Sequence, residues 1–354
     1  HNEPNYPRLS RLFRELGVAV QDSDMSFGVS CRRCGVEYSA VRLWTQPRAL
    51  ASPRMLRLLR EIVRFMRHGR DGLDERHAGS TLGDYVRDEG YSRDFRDHFL
   101  VPFASALWST APGMTLEFPM AYAVRFFDNH GLLGFRRRTW RTVVGGSRRY
   151  VEAITAPLGD RLMLGAPVRA VTRDADGVSV RTDDDAVRRF DAVVIATHAP
   201  QARELLADAD DLERTVLGAM GTTSNSAVLH TDRRLLPARD AAIASWNYVV
   251  DDCAAPAALP TVTYDLNRLQ ALDEPVRYCV TLNRDDHIAE DRIIRRERYA
   301  HPLYTSGSLA AQARLPELDG RRRTWFCGAY HGFGFHEDGL SSGLRAAAAL
   351  GAPW

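Results

Sequence analysis

The sequence predicts an α/β fold, in which a parallel-sheet domain is interleaved along the chain with a second domain of mixed sheet and helices. Three observations predict it. Asp191-Ala-Val-Val-Ile-Ala-Thr-His198 is a continuous apolar run with a polar end, the pattern of a strand covered on both faces. The last thirty residues read as strand, glycine loop and helix: Trp325–Cys327 form the strand, Gly328 ends it, and the helix runs from about Leu340 to Leu350. Glycine-and-strand segments alternate with aromatic-rich helical ones, with no repeat or low-complexity linker between them. Each domain is therefore expected to be discontinuous, with residues 1–17, 140–200 and 321–354 in one and 18–139 and 201–320 in the other.

From the N-terminus, Leu9, Leu12, Phe13 and Leu16 share one face of a helix over 5–16 that Gly17 ends. Met25 to Val41 alternates in part around Arg32–Gly35 and reads as a hairpin. Cys31 and Cys34 flank its turn. No second CxxC completes a metal site, so the spacing is read as a chance feature of the hairpin and no metal is expected. Ser52-Pro53 opens a helix that runs to about His68. Helical segments then span 92–108 and 114–129, rich in Phe, Leu, Met and Trp. That richness suits either a packed core or an apolar channel. Trp140 to Ser147 is a strand running into the double glycine Gly145-Gly146, with a helix from about Tyr150 to Ala156 behind it. Short strands follow near Pro167–Thr172 and Gly177–Thr182, then the apolar run at 191–198. Further strands are expected at Ala227–His230, Ala244–Val250 and Val276–Leu282.

Composition narrows the function. The chain has 354 residues, 45% of them hydrophobic, which is ample for a full core. A net charge of +2 gives no reason to expect a nucleic-acid partner. The 47 basic residues are all arginine, so lysine Schiff bases and P-loop lysines are excluded. No apolar run approaches the ~18 residues of a membrane span. Five cysteines in this length suggest a reducing compartment. A cytoplasmic protein is expected, with peripheral membrane association as the alternative and no obligate protein partner.

The C-terminal segment carries the most chemistry. Ser342, Gly343 and Ala346–Ala349 keep one side of its helix small, so a backbone or a flat ligand can come close. A helix N-terminus adds unpaired N–H groups and partial positive charge. Cys327-Gly-Ala-Tyr330, Gly339-Leu-Ser-Ser-Gly343 and Ala346-Ala resemble the C-terminal flavin-binding motif of the FAD-dependent amine oxidase-like oxidoreductases, a superfamily that also holds protoporphyrinogen oxidases and phytoene desaturases. The segment from Trp140 to Thr197 resembles the same superfamily. Within it, His1-Asn-Glu-Pro-Asn-Tyr-Pro7, Asn129-His-Gly-Leu-Leu133 and Tyr330 to Gly339 resemble a bacterial group of NAD/FAD-binding proteins, often encoded beside cyclopropane-fatty-acid-type synthases.

The resemblance implies an FAD/NAD(P)-binding Rossmann-like domain, FAD as cofactor, and a small apolar substrate. It places the backbone of Gly339 and Leu340 under the flavin's pyrimidine edge, with Gly343 on the same helix. It puts Gly328 and Ala329 by the ribityl and phosphate, Val168 at the adenine, Ala196 and Thr197 by the dinucleotide, and Gly145 and Gly146 at the cofactor's approach. Trp246, Tyr248, Tyr264–Asn267 and Tyr304 become candidate substrate-pocket residues. Such proteins carry G-x-G-x-x-G ahead of this region. The sequence has none, so the Rossmann-like domain is expected to be incomplete at its N-terminus, and the chain alone poorly soluble and nearly colourless.

The remaining candidates are weaker. His198, at a strand end where α/β proteins place ligands, is a candidate base. Tyr330 joins His198, Trp246 and Tyr248 as a candidate for the chemistry. His331, His336 and Glu337 flank the glycine loop but lack a further spaced metal ligand. Ser341 and Ser342 have no nucleophile-elbow context, and Cys327 is not where the superfamily attaches flavin. The sequence thus predicts an FAD-dependent oxidoreductase that removes a hydride from an apolar, lipid-like or amine substrate. A carotenoid-type desaturase or isomerase is the rival enzyme, and a flavin-less binding scaffold the rival from another class.

Overall fold

The computed structural model describes residues 1–39, 52–134, 138–255 and 257–354. In chain order the strands are β1 (Val20–Ser23), β2 (Phe27–Cys31), β3 (Glu37–Ser39), β4 (Trp140–Val143), β5 (Val168–Arg173), β6 (Val178–Thr182), β7 (Val187–Phe190), β8 (Val193–Ile195), β9 (Thr222–His230), β10 (Trp246–Val250), β11 (Val262–Asp265), β12 (Cys279–Leu282), β13 (Ile293–Pro302) and β14 (Thr324–Phe326). The helices named below are α1 (Pro7–Glu15), α2 (Pro53–His68), α3 (Leu82–Asp88), α4 (Val101–Trp108), α5 (Met120–Asn129), α6 (Arg148–Thr155), α7 (Ala199–Leu205), α8 (Asp211–Gly218), α9 (Ser306–Arg314) and α10 (His336–Ala349).

Local chemistry sets these boundaries. Pro7 and Pro53 open α1 and α2, where a missing N–H is harmless. The Ser52 hydroxyl accepts from the Met55 N–H at 3.4 Å. Thr81 and Asp84 form a reciprocal capping box on α3. The hairpin expected at 25–41 forms as β2 and β3, its last two residues lying outside the described ones.

The chain divides into two compact units. The first holds residues 1–2, 20–146 and 223–301; the second holds 3–19, 147–222 and 302–354. Residues 140–146 thus go with the first unit, and 201–222 and 302–320 with the second.

The first unit is built on a seven-stranded sheet of order β13-β9-β12-β11-β10-β2-β3. β9–β12, β12–β11, β11–β10 and β2–β3 are antiparallel, whereas β10 and β2 run parallel, with Trp246 opposite Phe27 and Val250 opposite Cys31. The aromatic helices form a core of their own. Phe65 of α2 is met by the rings of Tyr85, Tyr91, Phe95, Phe99 and Phe127 at 5.6–6.3 Å. Trp108 does the same for Phe118, Phe126 and Phe127. Phe65, Phe95, Phe126 and Phe127 are at most 1% exposed, so these rings fill a core and line no channel. Each such side chain contributes roughly 1.5–3 kcal/mol by burial.

The second unit has a three-stranded antiparallel sheet, β5-β6-β7, and a parallel pair, β14-β8. Its core gathers Val171, Val178, Ile195, Leu315, Phe326 and Tyr330. Arg173 of β5 is a buried cation held on every side: its guanidinium donates to Glu213 Oε1 at 2.6 Å, to Glu213 Oε2 at 2.9 Å and to Asp208 Oδ1 at 2.9 Å. α1 docks on α10 through Glu337, whose carboxylate accepts the N–H groups of Arg8 and Leu9 at 3.0 and 2.9 Å. That carboxylate satisfies donors at the start of α1 that have no partner within the helix.

Two expectations are corrected. The run at 191–198 is not a strand covered on both faces: β8 spans only Val193–Ile195, pairs with β14 alone among the described strands, and leaves Val194 38% exposed. The C-terminal helix begins at His336 and not near Leu340, because Asp338 folds back to accept the Phe335 N–H and caps it a turn earlier. Among the described residues, no helix is long and apolar enough to cross a membrane.

Candidate functional site

Parallel pairing of β14 with β8 sets the site in the second unit. Phe326 lies opposite Ile195, and the Cys327 N–H donates to Ile195 O at 3.1 Å. Both chains leave the pair at the same end, which brings Ala196-Thr197 beside Gly328-Ala329. A Cβ on Gly328 would stand 2.6 Å from the Tyr330 ring, so the chain passes here only as glycine. Ser342 pins α10 to this turn. Its hydroxyl accepts the Gly328 N–H at 2.9 Å and donates to Gly339 O at 2.7 Å. Gly339 faces the turn as well, its Cβ direction ending 3.7 Å from Ala329 N. Ala196, Thr197, Gly328, Ala329, Gly339, Leu340 and Gly343 therefore sit on one strand–loop–helix junction.

The helix N-terminus lies a turn earlier than the sequence suggests. Gly339 lies inside α10, and its N–H already donates to Phe335 O at 3.1 Å. What Gly339 and Gly343 offer is the absence of a side chain. Among the described residues, nothing lies within 4 Å of where a Cβ on Gly343 would be. Asp338 organises the preceding loop, a role the sequence reading missed. Its carboxylate takes the Phe335 N–H at 3.0 Å and also faces the N–H groups of Phe333 and Gly334. Burial raises its pKa, and those donors oppose the rise.

Among the described residues, two buried donors at the junction have no protein acceptor. Arg345 Nη2 lies 2.8 Å from His331 Nδ1, and an arginine can only donate. Nδ1 is therefore the acceptor, and the ring proton sits on Nε2, which is buried and unpartnered. Burial and the Arg345 charge lower the His331 pKa to about 4, so the ring is neutral at pH 7. The Tyr330 hydroxyl is likewise buried without a partner, and burial pushes its pKa up, so it stays protonated. Each unsatisfied buried group costs ~1–3 kcal/mol. The bare glycine face of α10 leaves room for a flat ligand such as a flavin.

The other candidates scatter. Gly145 and Gly146 follow β4 in the first unit, both with positive φ, at 77° and 86°. Val168 opens β5. His198 precedes α7 and shares with Tyr330 and Tyr304 a cavity of about 20 Å³, room for one water. Trp246 and Tyr248 belong to β10 in the first unit. Trp246 stands edge-on to Tyr264 with ring centroids 5.0 Å apart. Tyr248 lines a cleft of about 310 Å³ with Val101, Pro102, Pro112, Leu116 and Val249, and burial keeps its hydroxyl protonated. His331, His336 and Glu337 form no cluster, since Glu337 is committed to α1 and His336 lies beside the Tyr150 ring. Ser342 is the pin described above, not a nucleophile. Cys327 is buried, and its thiol pKa is raised by that burial.

Sequence reading also missed a group in the first unit, where Cys31, Cys34, His98 and Cys253 come together. CxxC was the visible half of it. The other two residues lie 64 and more than 200 positions away, beyond the reach of any spacing rule.

Comparison with known proteins agrees with the geometry. The family model described as flavin-containing amine oxidoreductase matches residues 1–264. No curated protein matches the sequence. Among solved structures, the CLA-producing fatty acid isomerase from P. acnes is similar at a TM-score of 0.63 and 16% identity, over 98% of this chain and 85% of that one. Cyclohexylamine oxidase from Brevibacterium oxydans IH-35A gives the same values. A putrescine oxidase bound to putrescine gives 0.62 and 13%, over 99% and 86%. At such identities the likeness shows a shared fold.

Proposed function

Because the chain belongs to the flavin-containing amine oxidoreductase family and is an FAD-dependent oxidoreductase, we propose that its substrate is apolar and lipid-like, and gives up a hydride without being a simple amine. The observation that carries this reading is the first unit's cleft. Its walls include Val101, Pro102, Pro112, Leu116 and Val249, with Arg96, Asp97, Asp251 and Asp252 also in the lining. That combination suits an acyl chain with a polar end. The sequence supports it too. Amine oxidases of this superfamily commonly hold a lysine, through water, near the flavin to assist reoxidation by oxygen, and this chain has no lysine.

FAD, when bound, supplies the two-electron acceptor. Gly328, Ala329, Gly339, Leu340 and Gly343 would hold its ring side, with Ala196, Thr197 and Val168 on the dinucleotide. Tyr330 Oη and His331 Nε2 would donate to it. Tyr248, protonated in its buried position, orients substrate by hydrogen bonding and does not act as a base.

The test is product analysis. The FAD-loaded chain is incubated with lipid extract and an artificial electron acceptor, and separately with a panel of monoamines while peroxide is followed. Desaturated or isomerised acyl products, with little peroxide from amines, are expected. Robust peroxide from a common monoamine would sink the proposal.

A further inference from the structure

We infer that Cys31, Cys34, His98 and Cys253 form a structural site for a tetrahedral, thiolate-preferring divalent cation, namely zinc. The three sulfurs and the imidazole nitrogen all lie within 4.8 Å of one another. Zinc bonds of ~2.3 Å to sulfur and ~2.0 Å to nitrogen put the corners of a tetrahedron about 3.5–3.8 Å apart. The group is therefore close to closing around an ion without any movement of the backbone elements.

Each ligand is delivered by a different part of the fold. Cys31 ends β2, and Cys34 sits three residues on in the turn to β3. That turn is closed by the Gly35 N–H donating to Cys31 O at 3.0 Å and the Cys31 N–H to Val36 O at 2.7 Å. Gly35, at φ 72°, has the left-handed backbone that lets the chain fold back behind the second cysteine. Cys253 follows β10. Because β10 and β2 run parallel, with Val250 opposite Cys31, both chains leave the sheet at the same end. Arg32 N donates to Val250 O at 2.8 Å, and Arg33 Nη1 reaches both oxygens of Asp252 at 2.7 Å, which locks one turn onto the other.

His98 comes from a π-helical turn, Arg96–Leu100, a conformation often found at functional sites. Its Nε2 lies 3.2 Å from Cys34 Sγ. Its Nδ1 faces Asp94, 3.2 Å from the main-chain oxygen and 3.4 Å from Oδ1. That outer contact fixes the tautomer, with Nδ1 carrying the proton and Nε2 presenting its lone pair to the sulfurs, the arrangement of metal-binding histidines. The Asp94 carboxylate is in turn held by the Arg54 guanidinium, and the Tyr38 hydroxyl donates to His98 O at 2.8 Å. Only a metal ion uses three sulfurs and an imidazole at once. A disulfide would join two of the sulfurs and leave the third and the oriented histidine without a role.

All four ligands come from protein, so the site is closed and structural, with no position kept open for catalysis. Binding would expel the thiol protons and clip together the β2–β3 turn, the 93–100 segment and the turn after β10.

The test uses the untagged full-length chain purified with reductant. One zinc per chain is expected by elemental analysis. Replacement by cobalt should give the intense visible spectrum of a tetrahedral thiolate site. Cys253→Ser should lose the metal, while Cys279→Ala, with a cysteine outside the group, should keep it. Asp94→Asn should keep it with affinity weakened roughly 10- to 100-fold in chelator competition. The cobalt spectrum of the parent chain stands even where a variant fails to fold. A folded parent that takes up neither zinc nor cobalt, or one holding a disulfide between two of these cysteines under reductant, overturns the inference.

Discussion

At the scale of single residues, the junction around Tyr330 separates what stabilises the protein from what binds ligand. Its hydroxyl is buried without a partner among the described residues. Tyr330→Phe should leave the apoprotein as stable as its parent, or more stable by up to about 1 kcal/mol, since an unsatisfied group is removed. The same variant should retain less flavin, read as the flavin-to-protein ratio after gel filtration. A variant less stable than its parent in the flavin-free state would show that the hydroxyl has a protein partner. His130 gives the second test. It is 6% exposed, its ring stacks on Phe126 with centroids 3.9 Å apart, and burial lowers its pKa to about 4. A folded-state value below the unfolded 6.5 means the contribution is present in full above pH 6.5 and is lost as pH falls toward 4. At about 1.36 kcal/mol per unit, that window is worth on the order of 3 kcal/mol. His130→Gln should therefore flatten the acid side of the stability profile in urea titrations between pH 7 and pH 4. At this scale little was legible in the sequence. The glycine turn at Gly328 and the small face of α10 were readable because their pattern is local, whereas the contacts of His331 and His98 are made with groups that only the fold brings near.

Among elements, α10 carries the sharpest expectation. A Cβ at Gly343 meets nothing within 4 Å, so the close protein packing one would infer from a small-faced helix is absent there. Gly343→Val should leave the apoprotein unchanged, or more stable by about 0.3–0.5 kcal/mol through helix propensity, and should still lower flavin content. Equal flavin in variant and parent would free that face from the cofactor. β5 is held differently. Its Arg173 is wholly buried between Glu213 and Asp208. Arg173→Leu leaves an anion uncompensated and should cost about 3–5 kcal/mol in chemical unfolding, well beyond the loss from any exposed pair on this surface. Most helices and strands were readable from apolar spacing and caps, as α1 and α2 show. β8 was misread because a run of Val and Ile looks the same whether a strand has neighbours on both sides or on one. The start of α10 was placed too late because the Asp338 carboxylate reaches back to cap Phe335, which begins the helix a turn earlier.

For the molecule as a whole, FAD binds only the folded state, so it should raise the thermal midpoint in proportion to the logarithm of its concentration. At a hundredfold excess over Kd the gain is ~2.7 kcal/mol. A midpoint indifferent to added FAD would be incompatible with the junction described above. The α/β class and its interleaving were legible in the sequence, but the sheet order was not, because strand neighbours are chosen by tertiary packing. The parallel pairing of β2 with β10 has a consequence for how the protein is made. Ser26 and its partner Ser245 are separated by 219 residues. At ribosomal rates of ~5–20 residues per second, β2 leaves the exit tunnel roughly ten to forty seconds before its neighbour exists. Through that interval the nascent chain carries an apolar strand with one edge open and two reduced cysteines beside it. Chaperone dependence during synthesis should therefore be concentrated on this early segment, and should end once residues 246–253 have emerged.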